Sequence, residues 1–381
     1  MALSALLLCG CVGPSLPPPV LAGSLDSALG LPAAAVAAED PFYLSDNDRR
    51  WLAARIDRSW SEGARFRALL ELFEDDGELA LEYDLSASTS ATHTLAARRG
   101  NCLSFTVLFV ALARELDINA QVQEVSIPAA WARLGDVAVA NRHVVAWGRI
   151  ASRAWEVDFG RFTVATTTPR RLLSDREVRA VLASNQGASL LATADDGLPL
   201  LRAALRVDED LAQGWGNLGV GLARLGDLAG AEYAFRRALE HEPGDASALS
   251  GLLRLYREID PATAETLEVV MPRLVSRSPW VRYNRGQQAL TQGDLAAALR
   301  AFEAAVRTAP DEPWFHLAVV RTRAGMGDRQ GAKRALRRAE RALRDEAQYA
   351  LLVEELLELK RQMLAVAGVG PDKLGTKPPA P

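Results

Sequence analysis

Few of the residues that build metal centres or disulfide frameworks are present: three cysteines and four histidines in 381 positions. His93, His143, His241 and His316 are scattered, and no Cys/His cluster has metal-ligand spacing, so neither a structural metal nor a cofactor is expected. Beyond the first residues no stretch is long and apolar enough to cross a bilayer. A surplus of positive charge is missing as well. A net charge of −4 and a pI near 5.8 give no general pull toward nucleic acid or anionic lipid. What remains is an ordinary globular composition, 49% hydrophobic and 24% charged, in a chain long enough for two domains with their own cores.

Two of the three cysteines, Cys9 and Cys11, lie in the apolar opening segment 1–11. Leu8-Cys9-Gly10-Cys11 resembles the lipobox of a bacterial lipoprotein, although no Lys or Arg precedes the apolar run. The resemblance implies cleavage before Cys11 and lipidation of that residue. Val12, rather than Asp, follows the cysteine, which implies an outer-membrane protein facing the periplasm in a Gram-negative cell. Membrane attachment is then expected through the anchor only. Residues 12–38, rich in Pro, Ala, Ser and Gly, read as a flexible tether. Removal of the signal leaves Cys102 with no disulfide partner in the chain, and a lone thiol in an exported protein points to nucleophilic catalysis.

Two periodicities divide the rest. Residues 39–177 read as one α+β domain. Asp46 could cap a helix over residues 48–60, and residues 64–73 are another apolar-periodic run. Over 103–116, Phe105, Leu108, Phe109, Leu112 and Leu116 fall on one helix face. Residues 121–126, 142–147 and 154–159 alternate as short strands. From 178 to 367 the strands give way to a repeat. Trp215-x2-Leu218-Gly219-x2-Leu222, then Ala231-x3-Phe235, then Pro243, resembles the tetratricopeptide (TPR) pattern. Gly226, Gly293 and Gly327 share a repeat position, with intervals of 67 and 34; Ala231, Ala298 and Ala332 track with them. An all-α TPR solenoid follows, with looser repeats around Leu201 and between Ala246 and Ser278. Gly219 and Gly221 belong to this repeat rather than to a phosphate loop. Lys333, Arg334, Arg337, Arg338, Arg341 and Arg344 read as the solvated face of a repeat helix. The tail 368–381 has a disordered composition.

Cys102 opens its helix, where first-turn N–H groups and the positive end of the macrodipole favour negative charge and could hold an oxyanion. Gly100 is placed to turn the chain into the helix. If residues 142–148 and 153–159 form a hairpin, pairing positions that sum to 301 leaves a four-residue loop, Arg149–Ser152. That register sets His143 opposite Asp158 and puts Val144, Ala146, Trp155, Val157 and Phe159 on the other face. His93 is a weaker base candidate.

Arg-Gly-Asn-Cys-Leu-Ser-Phe at 99–105, Asn141-Arg142-His143-Val144 and Val157-Asp158-Phe159 together resemble the bacterial transglutaminase-like domain of the papain-like superfamily. The resemblance covers roughly residues 65–165. It implies Cys102 as nucleophile, His143 as general base and acid, and Asp158 as the residue that orients the imidazole. For a further oxyanion-hole side chain Tyr83 and Trp60 are candidates. The expected protein is thus a Cys-His-Asp enzyme of acyl transfer or hydrolysis on protein or peptide amides, with a TPR solenoid that binds a protein or peptide partner. The alternative is an inactive transglutaminase-like/TPR scaffold.

Overall fold

In a computed structural model, the described residues are 15–30, 38–74, 77–125, 131–134, 137–140, 143–151, 153–160, 169–193, 196–275 and 279–343. Cys9, Cys11, Arg344 and the tail 368–381 lie outside them. The first part contains helices α1 (Leu25–Leu29), α2 (Asp46–Ala53), α3 (Glu62–Phe73), α4 (Ala91–Ala97) and α5 (Cys102–Glu115). Its strands are β1 (Glu82–Tyr83), β2 (Arg99–Gly100), β3 (Asn119–Val125), β4 (Trp131–Leu134), β5 (Val137–Ala140), β6 (His143–Ile150), β7 (Arg153–Val157) and β8 (Arg170–Leu173). Strands in the order β7-β6-β3-β8 make an antiparallel sheet that packs against α5.

The helix expected over 48–60 differs at both ends. Its cap is Ser45, in a reciprocal capping box with Asp48: Asp48 N donates to Ser45 Oγ at 3.2 Å and Ser45 N to Asp48 Oδ2 at 2.8 Å. It stops at Ala53 because the Asp57 carboxylate and carbonyl accept from Ser59 N and Trp60 N, closing a turn that competes with the helix. Helix α5 also departs from the amphipathic reading. Every residue from Leu103 to Ala113 is buried, so α5 is a central helix enclosed on all sides rather than one with a wet face.

The β6–β7 hairpin is shifted by two residues from the expected register. Ala146 pairs with Val157, Gly148 with Trp155 and Ile150 with Arg153, positions that sum to 303. Ile150 and Arg153 pair directly, and Ala151, which follows β6, has φ 52°, the positive φ that short hairpin turns favour. A two-residue shift leaves each side chain on its expected face. It also sets Trp155 against Gly148, where a Cβ would lie 2.4 Å from the indole. Only glycine admits the ring there.

Among the described residues five helix pairs follow: α6 (Asp175–Ala192) and α7 (Leu198–Val207); α8 (Ala212–Arg224) and α9 (Leu228–His241); α10 (Ala246–Ile259) and α11 (Pro261–Val275); α12 (Pro279–Thr291) and α13 (Leu295–Thr308); α14 (Pro313–Gly325) and α15 (Arg329–Ala342). The repeat glycines have a physical cause. Gly226, Gly293 and Gly327 adopt φ of 78°, 77° and 76°, a left-handed bend that follows the first helix of a pair. Each precedes an Asp that caps the second helix: Asp227, Asp294 and Asp328 accept from Gly230 N, Ala297 N and Gly331 N. Other glycines make room for a phenylalanine. A Cβ on Gly219 or Gly251 would come within 2.7 or 2.5 Å of Phe235, and one on Gly286 within 2.4 Å of Phe302.

Residues 15–30, read from composition as part of a flexible tether, are packed on this solenoid. Ala28 is fully buried there, and Leu16 and Leu29 lie against the same core cluster. At the other end the solenoid returns to the sheet domain, where the Trp314 indole donates to Arg170 O at 2.8 Å. Among the described residues no helix is long and apolar enough to cross a membrane, and no group of three His, Cys, Asp or Glu could hold a metal.

Candidate active site

Cys102 is the first residue of α5, half-buried and unbridged. The residues before it hold it in place. Asn101 Oδ1 accepts from Ser104 N at 3.1 Å, capping the helix, while Asn101 Nδ2 donates to Ser88 Oγ at 2.7 Å and Leu85 O at 3.3 Å. Ser104 Oγ in turn donates to Ala87 O at 2.9 Å and accepts from Thr89 N at 2.8 Å. The helix start is therefore fastened to residues 85–89 on two sides. The cap satisfies Ser104 N but leaves the N–H groups of Cys102 and Leu103 without intrahelical acceptors, as the first turn of any helix does. Gly100 serves by close approach: a Cβ would sit 2.6 Å from Ser104 Cβ and 3.1 Å from Phe105.

His143 begins β6 and is 3% exposed. In the observed register the position opposite it falls beyond β7, at Gly160, and Asp158 stands diagonally across. The diagonal still closes, with His143 Nε2 2.8 Å from Asp158 Oδ1. The approach is close but poorly aligned. The geometry for a straight N–H···O bond is poor, and the nearby carboxylate still favours the charged ring. Cys102 lies beside the same ring and favours its charged form. Burial pulls the imidazole pKa down, but the Asp158 carboxylate and the Cys102 sulfur outweigh it, and the ring is pushed up to about 9. That lies above its unfolded value near 6.5. The stability gained from charging the ring is therefore fully present below about pH 6.5 and is lost as pH rises through about 9.

Beneath this group lies an aromatic floor. Phe159, next to Asp158, packs on Phe73, Phe109 and Phe105 with ring centroids 5.1, 5.6 and 6.3 Å apart. Two sequence candidates separate here. Tyr83 pairs with Gly100 across β1 and β2 and packs edge-on against Phe105 at 6.2 Å, beside the helix start. Trp60 sits in the 57–61 turn, whose Arg58 pairs with Glu115 and Asp117 at the far end of α5. Fourteen helical residues put that end about 20 Å from Cys102, which removes Trp60 from the site. His93 is engaged elsewhere, by Ser90 Oγ at 2.9 Å and Glu39 at 3.1 Å, with 65% of its side chain exposed.

Gly160 is a site residue that pattern reading missed. Its N–H donates to Asp158 Oδ1 at 2.7 Å, and a Cβ there would lie 2.2 Å from His143 Cε1. The available signal was a glycine two residues past a strand-ending aspartate, where the chain must turn beneath a ring. Gly160→Ala is expected to drive the imidazole away from its partners. Its pKa should then fall from about 9 toward 6.5 in an NMR titration of the ring protons, and melts recorded at pH 6 should lose the stability that charging the ring supplies.

The Transglutaminase-like superfamily matches residues 51–156, a span that takes in Cys102 and His143 and stops two residues short of Asp158. Tetratricopeptide repeat families match residues 212–245 and 289–356. The chain thus carries a transglutaminase-like core domain followed by a TPR-like helical solenoid. No curated protein matches it. Similar solved structures include MamA from Desulfovibrio magneticus RS-1, at 18% identity over 50% of this chain and 97% of that one, with a TM-score of 0.24. Pseudomonas aeruginosa PilF is similar at 19% identity over 51% of this chain and 87% of its own, TM-score 0.25. YrrB, described as a TPR protein with an unusual peptide-binding site, gives 21% identity over 48% and 92%, TM-score 0.23.

Proposed function

We propose that the protein is a thiol-dependent acyltransferase or hydrolase acting on protein or peptide amides. The observation that carries this reading is the buried His143 imidazole, addressed by Cys102 and by Asp158 at 2.8 Å, at the start of a helix whose first N–H groups have no intrahelical acceptor. The Cys102 sulfur attacks the amide carbonyl, and the new oxyanion faces the N–H groups of Cys102 and Leu103. His143 gives its proton to the departing amine as the C–N bond breaks, leaving a thioester on Cys102. Water or a second amine, deprotonated by His143, then attacks the thioester and restores the thiol. Asp158 orients the ring throughout and favours its charged form whenever it takes up a proton. TPR repeats generally mediate protein–protein binding, and here they would hold the protein or peptide partner whose amide is presented to the thiol. Lipidation of Cys11, which would place this chemistry at an envelope membrane, is tested by loss of lipid labelling in Cys11→Ser.

Iodoacetamide alkylation across pH tests the site directly. At pH 6 the imidazolium beside Cys102 should make the thiol react well above the rate of a free cysteine, and His143→Ala should lower that rate about tenfold or more. A rate at pH 6 no greater than that of a free cysteine, unaltered by His143→Ala, would leave the domain as a recognition scaffold.

A further inference from the structure

Glu232, on α9, is a carboxylate with 1% exposure, and its hydrogen bonds arrive from two sides. From the solenoid, Arg236 Nε donates at 3.2 Å and the Tyr256 hydroxyl of α10 at 2.5 Å, both to Oε1. Arg236 also donates to the Tyr256 oxygen at 2.8 Å, so the three side chains satisfy one another. From the N-terminal segment, Val20 N and Leu21 N donate to Oε1 and Oε2 at 2.8 and 2.6 Å. Arg236 closes the other end, donating to Pro17 O at 2.6 Å. The segment then runs so near α9 that a Cβ on Gly23 would fall 2.2 Å from Ala229 O.

These hydrogen bonds all use the segment's main chain, while the side chains of Pro18, Pro19 and Val20 face solvent. The sequence explains the choice of atoms. Pro17, Pro18 and Pro19 have no N–H and hold the chain extended, so Val20 and Leu21 are the first donors after the run. The carboxylate takes the two consecutive donors one on each oxygen, Val20 N on Oε1 beside Arg236 and Tyr256 and Leu21 N alone on Oε2, and each such bond is charge-assisted. A segment serving only as packing would bury the side chains of its middle; this one exposes Pro18, Pro19 and Val20 while its main chain bonds to Glu232, and it is anchored by Leu16, the buried Pro17 and Ala28.

We infer that Glu232, Arg236 and Tyr256 form a peptide-binding site for an extended, proline-containing segment followed by two consecutive main-chain N–H donors. Residues 17–21 occupy this site in cis as its resident ligand. The site is independent of the thiol chemistry: it reads backbone shape and the position of the prolines, it stays assembled through its own three-way hydrogen bonding, and it opens to a peptide of the same chemistry when the resident segment leaves.

The test uses the full chain and a dye-labelled peptide copying residues 15–24. Replacing both donors, Val20→Pro with Leu21→Pro, should release the resident segment and tighten binding of the added peptide at least about tenfold over the unaltered protein. Adding Glu232→Ala to that variant should return binding to the starting level. Equal affinity for the released and unaltered chains, or tight binding that ignores Glu232→Ala, would overturn the inference. Hydrogen exchange on the unaltered chain needs no variant to fold. The Val20 and Leu21 amides should be protected, and exchange at the free-peptide rate would equally overturn it.

Discussion

Cys102→Ala is expected to abolish the proposed acyl transfer, with a loss of about 10⁴-fold or more in kcat, while the protein folds as before. The size follows from the chemistry. Without the sulfur there is no covalent intermediate, and the remaining N–H groups and imidazole supply only the residual catalysis that such groups give to attack by water. The fold should survive because the cap is made by Asn101 and Ser104, not by the thiol, and Cys102 only skirts the core cluster. An activated nitrophenyl acyl ester provides the measurement. The unaltered chain should release a burst of nitrophenol equal to the enzyme present, with a matching acyl adduct on Cys102 by mass. Cys102→Ala should give neither. Asp158→Asn should keep the adduct but slow its formation by about 10²- to 10⁴-fold, since the ring loses the charge that raises its pKa and fixes its orientation. A burst that persists in Cys102→Ala would move the nucleophile elsewhere.

The three residues proposed for this reaction stood out in the sequence because each belongs to a local pattern: a glycine and a cap before a buried helix, and two alternating strands. What brings His143 and Asp158 together was less legible. Counting positions favoured a four-residue loop, whereas the observed hairpin turns in two and pairs Gly148 with Trp155. Face assignment survived because side-chain alternation has a period of two, and the shift was two. Precise partners depend on how an indole finds room over a glycine, which is a packing event and leaves no periodic mark. The central place of α5 was hidden for a similar reason. A helix buried on all sides shows no contrast between faces beyond its long apolar run, and the small residues Ala111 and Ala113 read as neutral. The solenoid was the most legible part, since its cause, a left-handed glycine before an Asp cap, recurs at fixed spacing. The resident segment 15–30 was the least. Its composition is that of a linker, and its place is fixed by partners far away in the sequence, such as Glu232, 211 residues from Leu21.

Phe109→Ala should destabilise the transglutaminase-like domain by about 3–5 kcal/mol, a large share of the ~5–15 kcal/mol that holds a domain folded. Phe109 is fully buried on α5 and is the common member of the aromatic floor. Its ring lies 5.2 Å from Phe73, 5.6 Å from Phe159, 5.9 Å from Trp155 and 6.2 Å from Phe66, mostly at steep interplanar angles. Each such contact adds about 0.5–1.5 kcal/mol beyond area burial, and alanine removes all four while opening a cavity that four rigid rings cannot easily fill. The loss should be local. Phe109 belongs to the sheet-domain core, and the solenoid cores are built from other residues. Urea unfolding should therefore show an early transition shifted to lower denaturant and a later, solenoid transition left in place, with hydrogen exchange assigning each to its peptides. Phe109→Leu, which keeps most of the volume, should shift the first transition far less. The same cavity lies under Phe159, whose neighbour Asp158 holds His143. The rate of Cys102 alkylation at pH 6 should thus fall in Phe109→Ala even where the domain is still folded. A single shifted transition covering both domains, or a loss below about 1 kcal/mol, would mean that the floor is not what holds the hairpin over the helix.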